Sequence, residues 1–467
     1  MSINRLAMLS RRSQSLVLVL SLLLTPFALY AGATTQSTSE SDAQSPSIQH
    51  WTTDNGARVY YVAAPELPMV DIHVVFDAGS ARDQGHGGLA AMTNGLLDEG
   101  AGSLDANGIA ERFENVGARF GTSSHRDMAI VELRSLTESA MLQTAMDTMS
   151  LVLSQPTFPK DSLERERKRA LLALQAEKES PDDISDKAFY AGIYGDHPYA
   201  TPRLGDEESM QKLSREDIQQ FHKRYYVASN AVIAIVGAVT RQEAETLAQQ
   251  VIGKLPAGKE APPLPAVTSL SASRLEQIGF PSQQTHILIG QPGIKRGDPD
   301  YFPLYVGNHI LGGGGLVSRL SEEIREKRGL SYSTYSYFSP MRMAGPYILG
   351  LQTRNDQTAE AHRLMQKVLS EFVAHGPTAE ELDAARKNIT GGFPLRIASN
   401  SKIASYIAMI GFYGLPLDYL DRFNERVEAV TLEQIRDAFQ RRVAPDKMLT
   451  VIVGGGNLTA SADEPAS

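Results

Sequence analysis

The chain has 467 residues, with 45 Lys and Arg against 54 Asp and Glu, a net charge of −9 and no cysteine. An acidic chain is poorly suited to nucleic acid or to an anionic membrane surface. Without cysteine there can be no disulfide, thiolate metal site, Cys nucleophile or lipidated N-terminal Cys. The length exceeds that of an ordinary single domain, and two domains are expected.

Residues 1–33 read as a signal peptide. Arg5, Arg11 and Arg12 form a charged start, an apolar run broken by Pro26 follows, and Ala31-Gly32-Ala33 supplies the small residues of a cleavage site near Ala33. The mature protein is therefore expected in the periplasm, where export without disulfides places the stabilising burden on a large core. The Ser/Thr-rich residues 34–47 read as a flexible leader. No later stretch is apolar enough to anchor the chain in a membrane.

VDIHVVFDAGS (70–80) reads as a strand, and 88–98 as a helix with Leu89, Met92 and Leu96 on its buried stripe. A strand is expected over 118–134 and a long helix over 161–179. The Pro/Gly/Lys-rich stretch 253–268 reads as a linker between two halves. THILIGQPG (285–293) is the next strand; a helix then begins near Tyr301 and runs into Gly312–Gly315. That glycine run lacks the Lys-Ser/Thr of a phosphate loop and reads as a place of close backbone approach. Another long helix is expected over 357–374.

The two halves end alike. SREDIQQFHKRYYVASNAVIAIVG (214–237) and TLEQIRDAFQRRVAPDKMLTVIVG (431–454) each open on a Ser or Thr N-cap, continue as an amphipathic helix, and turn into an apolar strand ending in Gly. The constant offset of 217 residues points to an internal duplication. The expected fold class is α+β: two homologous domains in tandem, each a β-sheet covered by helices, at 48–252 and 269–457, with a tail at 458–467.

Four landmarks carry a family resemblance. They are Gly79-Ser80-Ala81-Arg82 leading to Gly88-Leu89-Ala90, ERERKRALLALQAEKESPDD (164–183), HPYATPRLG (197–205), and LGGGGLVSRLSEEIREKRGLSYSTYSYF (311–338). From about residue 48 to 455 the chain resembles the pitrilysin/insulinase family of zinc peptidases, which includes the mitochondrial processing peptidases. Active members bear H-x-x-E-H on a helix, whose two His and a later Glu hold zinc while the motif Glu is the general base. The resemblance places these positions at Ala91, Asn94, Gly95 and Ala173, none of which supplies an imidazole or carboxylate. The ten histidines include no pair three, four or five residues apart, so no other helical two-His motif is available. His86 near Glu99, or His125 near Glu132, could still join an improvised site.

The second half matches the family's Arg and Tyr, seven residues apart, at Arg325 and Tyr332. Arg325 is expected near a helix C-terminus capped by Gly329, with Tyr332 opening the next strand. In the family these groups reach toward the zinc site and can stabilise the oxyanion of the scissile carbonyl. Some bacterial relatives divide the labour between a zinc-bearing chain and an Arg/Tyr-bearing chain. The resemblance thus implies a non-catalytic subunit of an exported zinc metallopeptidase complex. Its partners would be an H-x-x-E-H sister chain carrying the zinc and an unfolded peptide, which could pair with the 118–134 sheet edge; this chain itself would hold no cofactor. The principal alternative is an inactive peptide-binding or assembly protein with no part in catalysis. An enzyme of unrelated chemistry and a homodimeric peptide-binding chaperone are further alternatives.

Overall fold

A computed structural model describes residues 47–456 and 458. The signal peptide, nearly all of the expected leader and most of the expected tail lie outside the described residues. Two mixed sheets dominate. The first contains β1 (Gln49–Thr52), β2 (Arg58–Ala63), β3 (Met69–Phe76), β6 (Arg119–Ser124), β7 (Ala129–Leu136) and β8 (Ala231–Gly237), in the order β1-β2-β8-β3-β7-β6. Two short strands, β4 (Gly100–Ala101) and β5 (Leu104–Asp105), pair only with each other. The second large sheet contains β9 (Arg274–Gly279), β10 (Gln284–Pro292), β11 (Thr334–Phe338), β12 (Pro346–Arg354) and β13 (Leu449–Gly454), in the order β11-β12-β10-β13-β9.

The five-strand order is the same in both: β2-β8-β3-β7-β6 corresponds to β9-β13-β10-β12-β11. In each of these five-strand sets only the pair at one end is parallel, β2 with β8 and β9 with β13. The helices preceding β8 and β13 both begin with a reciprocal capping box, Ser214 with Asp217 and Thr431 with Gln434. The duplication therefore extends from the sequence into topology and capping.

The expected strand 118–134 is a hairpin. Its polar centre turns between β6 and β7, where His125 N–H donates to Met128 C=O at 2.8 Å. This turn makes β6 the outer strand of its sheet.

Strand β8, AVIAIVG, is buried at every position. A strand lying under helices on both faces has no solvent side and therefore no polar alternation. Ile233 and Ile235 pack with the helices of the first half, while Val232, Ala234 and Val236 join the core of the second. That second contact comes from a helix exchange. Helix Asn400–Tyr413, from the second half, lies across β8, β3 and β2; helix Pro181–Tyr194, from the first half, lies across β13 and β10.

The two exchanged helices correspond at an offset of 219, and their details repeat. Ser180 and Ser399 cap their N-termini. Gly192 and Gly411 sit where each crosses the foreign sheet: a methyl on Gly192 would overlap Leu449, and one on Gly411 would overlap Tyr60 and Val232. Each helix ends in a tyrosine that donates to the opposite half. Tyr194 Oη donates to Ala344 C=O at 3.0 Å, and Tyr413 Oη to the Asp127 carboxylate at 3.0 Å. Asp127 also accepts from Tyr199 Oη and, at 2.7 Å, from Arg342 N–H.

The Gly253–Thr268 connection is strapped to the first half. Ala228 and Ser229 donate backbone N–H groups to Pro256 and Ala257, each at 2.9 Å. Arg82 reaches Pro262 C=O at 2.6 Å, and a ring nitrogen of His197 lies 3.0 Å from Pro265 C=O.

Two helical glycines give a test of opposite sign. Replacing Gly by Ala in a helix ordinarily stabilises by about 1 kcal/mol. Gly391, whose added methyl would meet open space, should follow that rule. Gly411→Ala should instead destabilise by roughly 1–3 kcal/mol through overpacking against β2 and β8. Urea midpoints of the two variants measure both; equal shifts would mean that the helix crossing is not tight.

Candidate functional site

The family motif positions lie on helix Leu89–Gly95. Its start is fixed by Gly88, whose φ of +88° is a left-handed conformation that suits glycine. The buried Asp83 carboxylate accepts from the N–H groups of Gly88 at 2.9 Å and Ala90 at 2.8 Å. Leu89, Met92 and Leu96 enter the core as the helical spacing predicts.

Asn94 is only 1% exposed, and its amide is fully engaged. The side-chain N–H₂ donates to Ser123 C=O at 2.8 Å and Ile130 C=O at 3.3 Å, tying the helix to the β6–β7 hairpin. Its oxygen accepts from Tyr226 Oη at 3.0 Å. Tyr226 is thus the partner of the position that the resemblance assigns to the base. Ala91 is half-buried and Gly95 is exposed, with open space where its side chain would begin. Ala173 is exposed on the neighbouring helix Lys160–Glu177. The helical frame and the room at Gly95 persist, but the chemistry does not. Ala91, Gly95 and Ala173 have no side-chain donor for a metal, and Asn94 spends its oxygen on Tyr226. These residues do not fit a zinc ion.

The improvised alternatives do not form a ligand set either. Glu99 pairs with Arg165 and not with His86, an ion pair that fastens the motif segment to helix Lys160–Glu177. Glu132 lies 3.7 Å from His73 Nδ1, and burial lowers the His73 pKa to about 4. Among the described residues no three His, Cys, Asp or Glu converge as metal ligands.

The structure does bring Arg325 and Tyr332 together. Arg325 lies in the last turn of helical segment Ser321–Glu326, and Gly329 follows with a φ of +62°. Leu330 N–H donates to Ile324 C=O and Gly329 N–H to Arg325 C=O, each at 2.9 Å. The Gly329 bond, from C′ back to the carbonyl four residues earlier, is that of an αL C-cap, which the position of Gly329 predicts. The segment is also widened by an i→i−5 bond from Lys327 N–H to Glu322 C=O at 3.0 Å, a local irregularity often found at functional sites.

Tyr332 departs from the expectation that it opens a strand. β11 begins at Thr334, and Tyr332 stands before it, 83% exposed. The turn that follows the Gly329 cap delays sheet entry and leaves the phenol in solvent. The Arg325 guanidinium carbon lies 4.7 Å from the centre of its ring, a cation–π contact. The nearby cations are paired: Lys327 and Arg328 with Glu323, and Arg319 with Glu381. Among the described residues Arg325 has no such carboxylate partner.

The second half holds a counterpart of the motif helix. Helix Tyr301–Asn308 reads YFPLYVGN and continues through His309. At an offset of 214, NGLL (94–97) faces NHIL (308–311), and the buried positions coincide. Asn308 repeats the bond to the edge hairpin, donating to Ser336 C=O at 2.8 Å and accepting from Ser336 Oγ at 2.7 Å. The offset between halves was the signal available in the sequence for finding it.

Comparison with known proteins agrees with this geometry. Residues 58–207 match the family model described as insulinase (peptidase family M16), and 212–389 match the model of the peptidase M16 inactive domain. The crystal structure of a peptidase M16 inactive domain from Pseudomonas fluorescens superposes with a TM-score of 0.86 at 39% identity, covering 90% of this chain and 100% of that one. A Helicobacter pylori protein named non-peptidase homolog YmxG is 27% identical, covering 83% of this chain and 89% of its own length. A Bacillus subtilis protein named uncharacterized zinc protease YmxG is 25% identical, covering 88% and 99%.

If Asn94 is now a structural bolt, removing it should cost stability. Asn94→Ala strands buried partners on Tyr226 and the hairpin, and should lower unfolding free energy by roughly 2–4 kcal/mol. Asn94→Glu, which restores the family's base, should be no better, since a carboxylate has no proton to give the two carbonyls. Urea titration of both variants decides the matter; a neutral Asn94→Glu would mean the position is free.

Proposed function

Because the chain belongs to the insulinase family of peptidases, family M16, we propose that it is the non-catalytic subunit of an exported zinc metallopeptidase complex. It pairs with an H-x-x-E-H sister chain that carries the zinc, and it offers Arg325 and Tyr332 to that partner's site. The observation that carries this reading is the state of the pair: a guanidinium without a carboxylate, resting on a phenol that is 83% exposed. The neighbouring cations Arg319, Lys327 and Arg328 are neutralised within the chain, whereas these two side chains are left to meet something outside it. A guanidinium and a phenol supplied to a zinc site would donate to the developing oxyanion, where one donor contributes a factor of about 10²–10³ in turnover.

The outer strand β6 supports a contribution to peptide binding. Pairing an extended peptide with a sheet edge uses backbone groups and needs no metal. The same edge favours the second reading, an inactive peptide-binding or assembly protein, if the Arg/Tyr pair proves inert. Export to the periplasm and pairing with a sister chain are parts of the proposal.

Affinity capture of the tagged mature chain from the periplasm is expected to recover an H-x-x-E-H sister and chelator-sensitive cleavage of an unstructured peptide. In that complex, Arg325→Ala combined with Tyr332→Phe should lower turnover by roughly 10²-fold or more with assembly intact. Unchanged turnover would make the pair structural and move the assignment to the second reading.

A further inference from the structure

The counterpart of the motif helix borders a cavity of about 730 Å³. The positions corresponding to Ala91, Asn94 and Gly95 are here Tyr305, Asn308 and His309, which line one wall. β11 lines another. Ser339 N–H pairs with Pro346 C=O on the next strand at 2.9 Å, so the alternation of an antiparallel ladder turns the peptide groups of Thr334, Ser336 and Phe338 away from β12. Asn308 takes the Ser336 carbonyl, leaving the groups of Thr334 and Phe338 on the open side.

The charge in this cavity is one-sided. Arg296 and Arg396 line it, and no Asp or Glu does. Neither arginine has an ion-pair partner among the described residues. Arg296 is half-buried, its Nε has no hydrogen-bond partner, and its guanidinium lies only against the rings of Tyr301 and Tyr413, at 5.7 and 5.6 Å. Arg396 lies 5.9 Å from the Tyr305 ring centre. His309 Nε2 and Thr334 Oγ1 are also buried without a partner. Burial, with the Arg396 charge second, lowers the His309 pKa, so this ring does not add a third cation at neutral pH. Polar atoms without partners, gathered beside two guanidinium groups that have no ion-pair partner among the described residues, are complementary to an anion.

We infer that this cavity in the second half is a receptor for a peptide carboxylate. The carboxylate engages Arg296 and Arg396, and the attached chain lies along the open side of β11. A peptide suits the site better than a small inorganic ion, because Ile294, Leu304, Tyr301 and Phe338 give the cavity apolar walls and the outward backbone groups can pair with an extended chain. The carboxylate belongs either to a C-terminus or to an Asp or Glu side chain. This site is separate from the Arg325/Tyr332 pair and needs no partner subunit.

The test is fluorescence anisotropy on the isolated mature chain with three labelled forms of one unstructured peptide. These are a neutral sequence with a free C-terminus, the same sequence amidated, and an amidated form carrying one internal Glu. Binding of the first and not the second assigns the site to C-termini; binding of the third assigns it to acidic side chains. Arg296→Gln and Arg396→Gln should each weaken the bound form by about ten-fold or more with unchanged Tm. Competition of free-acid against amidated peptide on the unsubstituted protein reads the same selectivity if a variant misfolds. Equal binding of all three forms, no binding up to about 1 mM, or folded arginine variants with unaltered affinity would overturn the inference. Because the assay uses no sister chain and no turnover, its failure leaves the subunit reading standing, and failure of the subunit reading leaves this one standing.

Discussion

A sheet with one face on its own helices must still cover the other, and in this chain each half solves that problem with a helix borrowed from its twin. Helix Asn400–Tyr413 closes the outer face of β8, β3 and β2, and helix Pro181–Tyr194 closes that of β13 and β10. This exchange explains why β8 is apolar without alternation, why both helices carry a glycine at the crossing, and why both end on a tyrosine that bonds across the seam. Neither sheet can be buried on both faces without the other half. The hairpins bearing Asp127 and Ala344 are held at their turns by those same tyrosines, so the exchange also fixes the strands beside the former metal helix and beside its counterpart.

Loss of the ligands has left the scaffold of the motif helix intact. Its N-terminus is capped by Asp83, its apolar stripe is in the core, and Asn94 joins it to the hairpin and to Tyr226. The second half arrives at the same solution with Asn308 and Ser336. In both places a buried amide, able to donate and accept at once, satisfies strand carbonyls that a carboxylate would repel. The position that the resemblance assigns to the base is here a joint between helix and sheet. In the second half Tyr332 stands in solvent, with the half-buried Arg325 against its ring.

Much of this was legible in the sequence because it depends on local pattern. The N-caps Ser214 and Thr431, the left-handed Gly329 and the stripe Leu89, Met92, Leu96 are short-range features with fixed spacings, and each appears in the structure where the spacing places it. The exchanged helices were not legible. Nothing in a stretch such as NSKIASYIAMIGFY states whose sheet it will cover, since that depends on residues far away in the chain. The polar turn at 125–128 was hidden inside a run that reads as one strand, and Tyr332 was displaced from β11 by the turn after Gly329. The bond from Tyr226 to Asn94 spans 132 residues, beyond the reach of any local pattern.

The connection Gly253–Thr268 lies along the first half, held by Ala228, Ser229, Arg82 and His197. Its Leu264 also joins a core cluster shared by both halves, and the two swapped helices and the Asp127 cluster hold the halves together besides. The covalent link is therefore redundant for holding the halves together: a nick within it would leave a noncovalent pair. The arrangement is that of a two-fold dimer whose subunits happen to share one backbone, rather than of beads on a string.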